Sequence, residues 1–189
     1  MRAEHPQLRS VHFLCNALPE PDDPSAVSLS GRLLIIGLGN PDRGDDGVGA
    51  LVIQELGGWH PPGVQLITRS GDPLALLDDW ASFNAVICID AAATEARPGR
   101  IHRIDPAIEP LPQPPLPTSS HALGLADTIE LARVLGRAPP HLIVYAIEGH
   151  CFDSGAPVTP AVAAAATQVA LLITTQEWPA LARMPPTNG

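Results

Sequence analysis

Aromatic residues and cysteines are both scarce in this sequence of 189 residues. Phe, Trp and Tyr together make up 4% of it, so a packed core has to be built from aliphatic side chains. The three cysteines, Cys15, Cys88 and Cys151, are too few for a disulfide framework, and none of them forms a Cys-x-x-Cys pair. This cysteine usage predicts a protein of a reducing compartment.

Long apolar runs are missing as well. No segment reaches the length needed to cross a membrane. The first residues, MRAEHPQLRSVHFLCNALPEPDD, lack the continuous apolar stretch of a signal peptide, because His and Asn interrupt it. The sequence therefore predicts a cytoplasmic protein that does not act at a membrane.

Positive charge is in short supply: Lys and Arg number 11 against 20 Asp and Glu, which gives a formal net charge of -9. Clustered basic side chains are what bind a phosphate backbone, so this balance argues against a nucleic acid partner. A partner with a basic or neutral surface fits better. The hydrophobic fraction of 45% predicts a packed globular domain.

Prolines divide the chain into three parts. The cluster between Pro19 and Pro24 breaks any regular element, so residues 1–31 are predicted to be a poorly ordered N-terminal extension. A single α/β domain is predicted over residues 32–178, followed by a C-terminal tail over 179–189. The segment 91–120 is predicted to be the least regular part of the domain, and its proline-rich portion, EPLPQPPLP, is predicted to be extended and exposed. The whole segment is our candidate for contact with a substrate.

Apolar strands and amphipathic helices are predicted to alternate within the domain. The predicted strands cover residues 33–38, 64–68, 85–89, 101–104 and 141–147, and the predicted helices end at 56, cover 73–80 and 123–135, and run to 173 from an N-cap at Thr159. This order predicts a three-layer helix–sheet–helix fold with a mostly parallel central sheet. Ligands of such folds bind beyond the carboxyl ends of the strands.

Two acidic segments are predicted to lie at that edge. The loop GLGNPDRGDDGVG follows the first strand, and one of Asp45 and Asp46 can cap the next helix while the other faces a cleft. Equally, both could cap the helix and be solvated. Asp90 follows the apolar run AVICI, where a carboxylate is either a ligand or, more often, a turn former.

A histidine completes the candidate set. His121 precedes a predicted helix in SSHALGLAD, a position where a lone histidine is more often structural than catalytic. Taken together, however, Asp46, Asp90 and His121 offer oxygen and nitrogen donors with positions left open. Such a set suits a divalent metal such as nickel or zinc.

These motifs resemble a known family in order and spacing. GLGNPDRGDDGVG, VICIDAA and SSHALGLAD are similar to the signature segments of the [NiFe] hydrogenase maturation endopeptidases, and IEGHCFDSGAPVTPAV resembles the end of their domain. The resemblance implies a phosphorylase/hydrolase-like fold, with Asp46, Asp90 and His121 as metal-contacting and catalytic residues. It also implies nickel supplied by the substrate, with cadmium or zinc as other occupants of the site.

The resemblance implies an endopeptidase that removes the C-terminal extension of the hydrogenase large-subunit precursor after nickel insertion. The substrate's nickel would complete the ligand set, and a neutral His121 would be required, so activity should fall on acidification. General-base and Lewis-acid roles remain open. Two departures from the family pattern are an Asp at 46, where many members carry Glu, and Asp72 in a turn that is often Gly-Gly-Thr.

Three alternatives compete with this interpretation. A nickel-dependent checkpoint or chaperone could bind the precursor through the same side chains without cutting it. A peptidyl-tRNA hydrolase also begins with GLGNP, but its Thr-Arg-His-Asn segment is missing here and the net charge is unsuited to tRNA. Other protease classes lack their HExxH or GxSxG motifs. The oligomeric state is left open, with a monomer as the working assumption.

Overall fold

The fold is built on a five-stranded sheet with the strand order β2-β1-β3-β5-β4. The structure, a computed structural model, describes residues 33–58, 60–70, 72–92, 97–111 and 124–182. The predicted extension over residues 1–31 lies outside these ranges. The strands are β1 (Leu33–Leu38), β2 (Val64–Arg69), β3 (Ala85–Ala92), β4 (Ile101–Ile104) and β5 (His141–Glu148).

Four of these strands are parallel, and β4 pairs antiparallel with β5 at one edge of the sheet. The mostly parallel α/β fold predicted from the sequence is therefore confirmed. β1 is buried along its whole length because helices cover both faces of the sheet, which is why its sequence is continuously apolar.

Two hydrophobic clusters fill the spaces between the sheet and the helices. One lies under α1 (Val48–Leu56) and α4 (Pro160–Leu172), and the other under α2 (Pro73–Trp80) and α3 (Leu125–Val134). Side chains alternate between the two clusters along each central strand, as the period of an extended chain requires. Each helix that follows a parallel strand thus starts near the carboxyl edge of the sheet and runs back.

Helical structure continues beyond the boundary that we predicted at residue 178. A π-helical turn over Ile173–Glu177 follows α4 and leads into α5 (Trp178–Ala182). The buried Glu177 carboxylate accepts hydrogen bonds from the Arg103 guanidinium at 2.6 Å and from the Tyr145 hydroxyl at 2.7 Å. This turn therefore fastens the C-terminal helix to β4 and β5. None of the described helices is long and apolar enough to span a membrane.

A buried carboxylate joins the two loops that form the carboxyl edge. Asp45 is fully buried, and its Oδ2 accepts the backbone N–H groups of His150 at 2.8 Å and Cys151 at 3.0 Å. Its Oδ1 accepts the N–H of Thr159 at 2.7 Å, immediately before α4. Burial alone would raise the pKa of Asp45, but these N–H donors outweigh it and hold the pKa below its usual value.

We predict that Asp45→Asn lowers the free energy of unfolding by about 3 kcal/mol at neutral pH, because an amide nitrogen cannot accept the N–H groups that it would face. Denaturant unfolding measures the loss. The matched control, Asp42→Asn, alters an exposed residue of the same loop and should change stability by less than ~0.5 kcal/mol.

The same pair of proteins tests the charge of Asp45. Its stabilising effect is present above the unfolded-state pKa and is lost as the pH falls through the lower folded-state pKa. The stability difference between the parent protein and Asp45→Asn should therefore shrink in that acidic range. A difference that stays constant down to pH 2 would contradict an ionised Asp45.

Candidate active site

The loop between β1 and α1 carries the first predicted site residues. It contains a short 3₁₀ helix over Gly44–Gly47, so Asp45 and Asp46 sit in its middle and not at the start of α1. The N-cap of α1 is Gly47, which makes no side-chain capping bond. Our interpretation that one of the two aspartates caps this helix was wrong, because Asp45 is drawn away to the β5–α4 loop.

Glycines allow this loop to fold closely over the end of β1. A Cβ on Gly37 would lie 2.2 Å from the carbonyl oxygen of Gly49, so the first turn of α1 can approach the strand only without it. Gly39 has a positive φ of 108°, and a Cβ there would lie 1.9 Å from the carbonyl oxygen of Asp46. The glycines of the motif thus bring Asp46 down onto the carboxyl edge of the sheet.

Asp46 is oriented by the loop itself. Its Oδ2 accepts the backbone N–H of Asn40 at 3.0 Å, while the Asn40 Oδ1 accepts the N–H of Asp42 at 2.9 Å. The side chain of Asp46 is partly buried, and the 3₁₀ helix that carries it contacts β3. Asn40 is a positioning residue that we did not identify from the sequence, although it is the asparagine of the GLGNP motif.

Asp90 lies within β3 and does not end it, because the strand continues to Ala92. The commoner reading of this residue, a turn former, is therefore wrong. Asp90 is two residues beyond Cys88 and projects from the same face, toward α2 and α3. It is partly buried, and its Oδ1 accepts the backbone N–H of Ala91 at 2.9 Å.

The carboxyl groups of Asp46 and Asp90 interact electrostatically. Burial is the main cause that raises the pKa of Asp90 to about 7; the Ala91 N–H opposes this rise and the negative charge of Asp46 adds to it. In the described part of the chain, neither carboxylate forms an ion pair within 4 Å. The structure thus brings together two acidic groups from separate elements that are not neutralised by the arginines it describes.

The third predicted residue, His121, lies outside the described residues. Only its place in the chain can be given: α3 begins four positions later, at Leu125, behind an N-cap at Gly124. Among the described residues, no group of three or more His, Cys, Asp or Glu side chains could hold a metal ion. The triad of Asp46, Asp90 and His121 therefore stays a prediction.

Three further polar residues have structural roles. Asp72 caps α2, and its Oδ1 accepts the N–H of Leu74 at 2.9 Å. Asp153 belongs to a turn that Gly155, with a positive φ of 76°, completes. The Cys151 thiol lies 3.8 Å from an Asp153 carboxylate oxygen, and the backbone N–H of Cys151 binds Asp45.

Glu148 is a buried carboxylate that we did not single out from the sequence. It ends β5 and lies opposite Ala92 of β3, two residues beyond Asp90, with 2% of its surface exposed. Its Oε1 lies 2.9 Å from His102 Nε2, and its Oε2 accepts the N–H of Arg97 at 3.1 Å. The signal that identified Asp90, an acidic residue after a buried apolar run, is equally present here.

We predict that the titration of the side-chain carbon resonance of Asp90 gives a pKa of about 7, well above that of an ordinary aspartate. Asp46→Asn should lower it, because the replacement removes a neighbouring negative charge and leaves burial unchanged. An unchanged Asp90 titration in this variant would show that the two carboxyl groups are not coupled.

Comparison with known proteins supplies the family. Residues 52–176 match the family model described as hydrogenase maturation protease, a range that contains Asp90 and His121 and begins after Asp46. The chain is 28% identical over 138 residues to the hydrogenase expression/formation protein HupD of Bradyrhizobium diazoefficiens, covering 71% of this chain and 72% of that protein.

Solved structures agree with this match. The chain is similar to the hydrogenase maturating endopeptidase HybD from E. coli, with 26% identity, a TM-score of 0.60 and coverage of 77% of this chain and 94% of that one. The fold also matches the [NiFe] hydrogenase maturation protease HycI from Thermococcus kodakarensis, with 22% identity, a TM-score of 0.61 and coverage of 76% and 91%. Because the family model spans well over half of the sequence, this chain belongs to the hydrogenase maturation proteases, a family of peptidases.

Proposed function

We propose that this protein removes the C-terminal extension of a [NiFe] hydrogenase large-subunit precursor after nickel insertion, and that it recognises the nickel held by that substrate. Asp46, Asp90 and His121 contribute donors to the incoming ion, which is part of the substrate and not a resident cofactor. The observation that supports the proposal is that the 3₁₀ helix carrying Asp46 contacts β3, which carries Asp90, and that the charge of Asp46 raises the pKa of Asp90.

The chemistry of these donors supports recognition of a divalent ion. Two carboxylates held close together repel one another, and a divalent cation between them removes that repulsion. A neutral imidazole from His121 adds a nitrogen donor, which nickel accepts readily. A precursor without nickel offers no ion for these three side chains to bind, so its scissile bond is not positioned.

Hydrolysis then requires a water molecule, a base and an electrophile. A carboxylate at this edge can accept the proton of the attacking water, and the nickel of the substrate can polarise the scissile carbonyl as a Lewis acid. The residues of this chain hold the ion and the water in place. Asn40 contributes by fixing Asp46 through its backbone N–H.

We predict that the intact protein shortens nickel-loaded precursor and leaves nickel-free precursor uncut, as measured by mass spectrometry of the precursor after incubation. Asp46→Asn and His121→Ala should each slow the cleavage by roughly 100-fold or more. Asp42→Asn, in the same loop but with an exposed side chain outside the site, should cleave at the parental rate.

The outcomes separate the candidate functions. Binding of nickel-loaded precursor without any shortening would favour a checkpoint that does not cut. Equal shortening of loaded and nickel-free precursor would end the idea that nickel is recognised. Full activity of His121→Ala would remove that residue from the ligand set.

A further inference from the structure

The seven arginines in the described part of this acidic protein differ in their partners, and one of them, Arg43, donates to the backbone carbonyl of Phe152 at 3.4 Å. In the described part of the chain, four of them hydrogen-bond a carboxylate: Arg69 with Asp79, Arg103 with Glu177, Arg133 with Glu130, and Arg137 with Asp78. Among the described residues, the Arg97 side chain has no hydrogen bond or ion pair, and Arg100 forms an ion pair with Glu148 at 3.8 Å without a hydrogen bond. Both are exposed, so their guanidinium groups can bind a ligand.

Arg97 and Arg100 lie in a turn that backbone hydrogen bonds make rigid. The turn spans residues 97–100 and is closed by the Arg100 N–H, which donates to the carbonyl of Arg97 at 3.0 Å. The backbone of Glu148 receives the N–H of Gly99 at 2.7 Å and donates to the carbonyl of Arg100 at 2.9 Å. The buried Glu148 side chain accepts the Arg97 N–H as well, so one residue at the end of β5 fixes both ends of the turn.

Close packing adds to this rigidity. Gly99 has a φ of 83°, and a Cβ there would lie 2.6 Å from the carbonyl oxygen of Ala161 in the first turn of α4. Only glycine fits between β5 and α4 in this conformation. When charged side chains on such a rigid turn bind a partner, the backbone that carries them loses little conformational entropy.

The turn lies beside the candidate active site. Glu148 is paired with Ala92, which is two residues beyond Asp90 on β3, or about 7 Å along the strand. Allowing for the reach of an arginine side chain, an extended peptide bound at Asp90 needs roughly three to five residues to arrive at the turn. The turn is thus within range of the part of a substrate that follows the cleaved bond.

Charge selects what the turn can bind. Asp46 and Asp90 repel a carboxylate placed at the reaction centre, and the formal net charge of the chain is -9. Arg97 and Arg100 carry two positive charges against the single negative charge of the buried Glu148, so the exposed side of the turn is positive. Guanidinium groups bind carboxylates through paired, charge-assisted hydrogen bonds. We infer that the Arg97–Arg100 turn binds a carboxylate of the extension that is being removed, a few residues beyond the scissile bond.

This inference rests on the proposed function for the identity of the peptide. The carboxylate can belong to an acidic side chain of the extension or to its free C-terminus. Either source places the extension on the β4 side of Asp90. The enzyme would then favour substrates whose carboxylate lies a set number of residues beyond the scissile bond. In this arrangement Glu148 is a positioning residue, because it acts through the turn and not on the substrate.

A binding experiment that needs no cleavage tests the turn directly. We predict that the N-acetylated peptide Ala-Ser-Ala-Ser-Ala-Glu, titrated into the isotope-labelled full-length protein, shifts the side-chain N–H resonances of Arg97 and Arg100 and leaves those of Arg133 and Arg137 unshifted. Amidating the C-terminus leaves only the side-chain carboxylate of Glu, and replacing Glu by Gln leaves only the C-terminal carboxylate. A peptide with both changes is the neutral control.

The matched double variants are Arg97→Gln/Arg100→Gln in the turn and Arg133→Gln/Arg137→Gln at the end of α3. Each removes two positive charges. The first should weaken binding of the charged peptides roughly tenfold, and the second should leave it unchanged. Equal binding of the neutral peptide, or undiminished binding by the first variant, would overturn the inference.

Cleavage of nickel-loaded precursor gives an independent readout. Arg97→Gln/Arg100→Gln should raise KM roughly tenfold with kcat unchanged, because the turn holds the tail and takes no part in the chemistry. An unchanged KM overturns the inference while the proposed function stands. Carboxylate binding at the turn in a protein that cuts no precursor supports the turn as a carboxylate site and refutes the protease proposal.

Discussion

The carboxyl edge of this sheet depends on the buried carboxylate of Asp45. Three backbone N–H groups from the β5–α4 connection point at its two oxygens, so one side chain of the β1–α1 loop fixes the loop on the far side of β3. Without it, these donors would lose their charged partner, at a cost of about 3 kcal/mol, which is a large fraction of the stability of a small domain. Asp46 and the end of β5 owe their positions to this contact.

Two adjacent aspartates with different environments divide structure and chemistry between them. Asp45 turns inward and is stabilised as a charged group by N–H donors, which lowers its pKa. Asp46 turns toward β3, where its charge raises the pKa of Asp90. The 3₁₀ geometry of the loop separates the two side chains, and the glycines at 37, 39 and 49 allow the loop to lie close enough to the strand.

The same edge contains charges of both signs in separate places. The Asp46 and Asp90 pair suits a cation, whereas the turn that carries Arg97 and Arg100 suits an anion, and Glu148 lies between them at the end of β5. A substrate that presents a metal ion and, some residues later, a carboxylate would match this arrangement along a single extended path.

The sequence by itself determined the order of strands and helices along the chain, the mostly parallel sheet and the acidic loops at its edge. It could do so because continuous apolar runs, glycines and the proline at the start of α4 act locally. The end of β3 and the π turn before α5 depended on long-range partners, since pairing with β5 extends β3 to Ala92 and Arg103 draws Glu177 inward. Only the tertiary structure could decide which of Asp45 and Asp46 is buried, because the donors that choose Asp45 come from residues more than a hundred positions away. The same holds for Glu148, whose role depends on a turn that another strand brings to it.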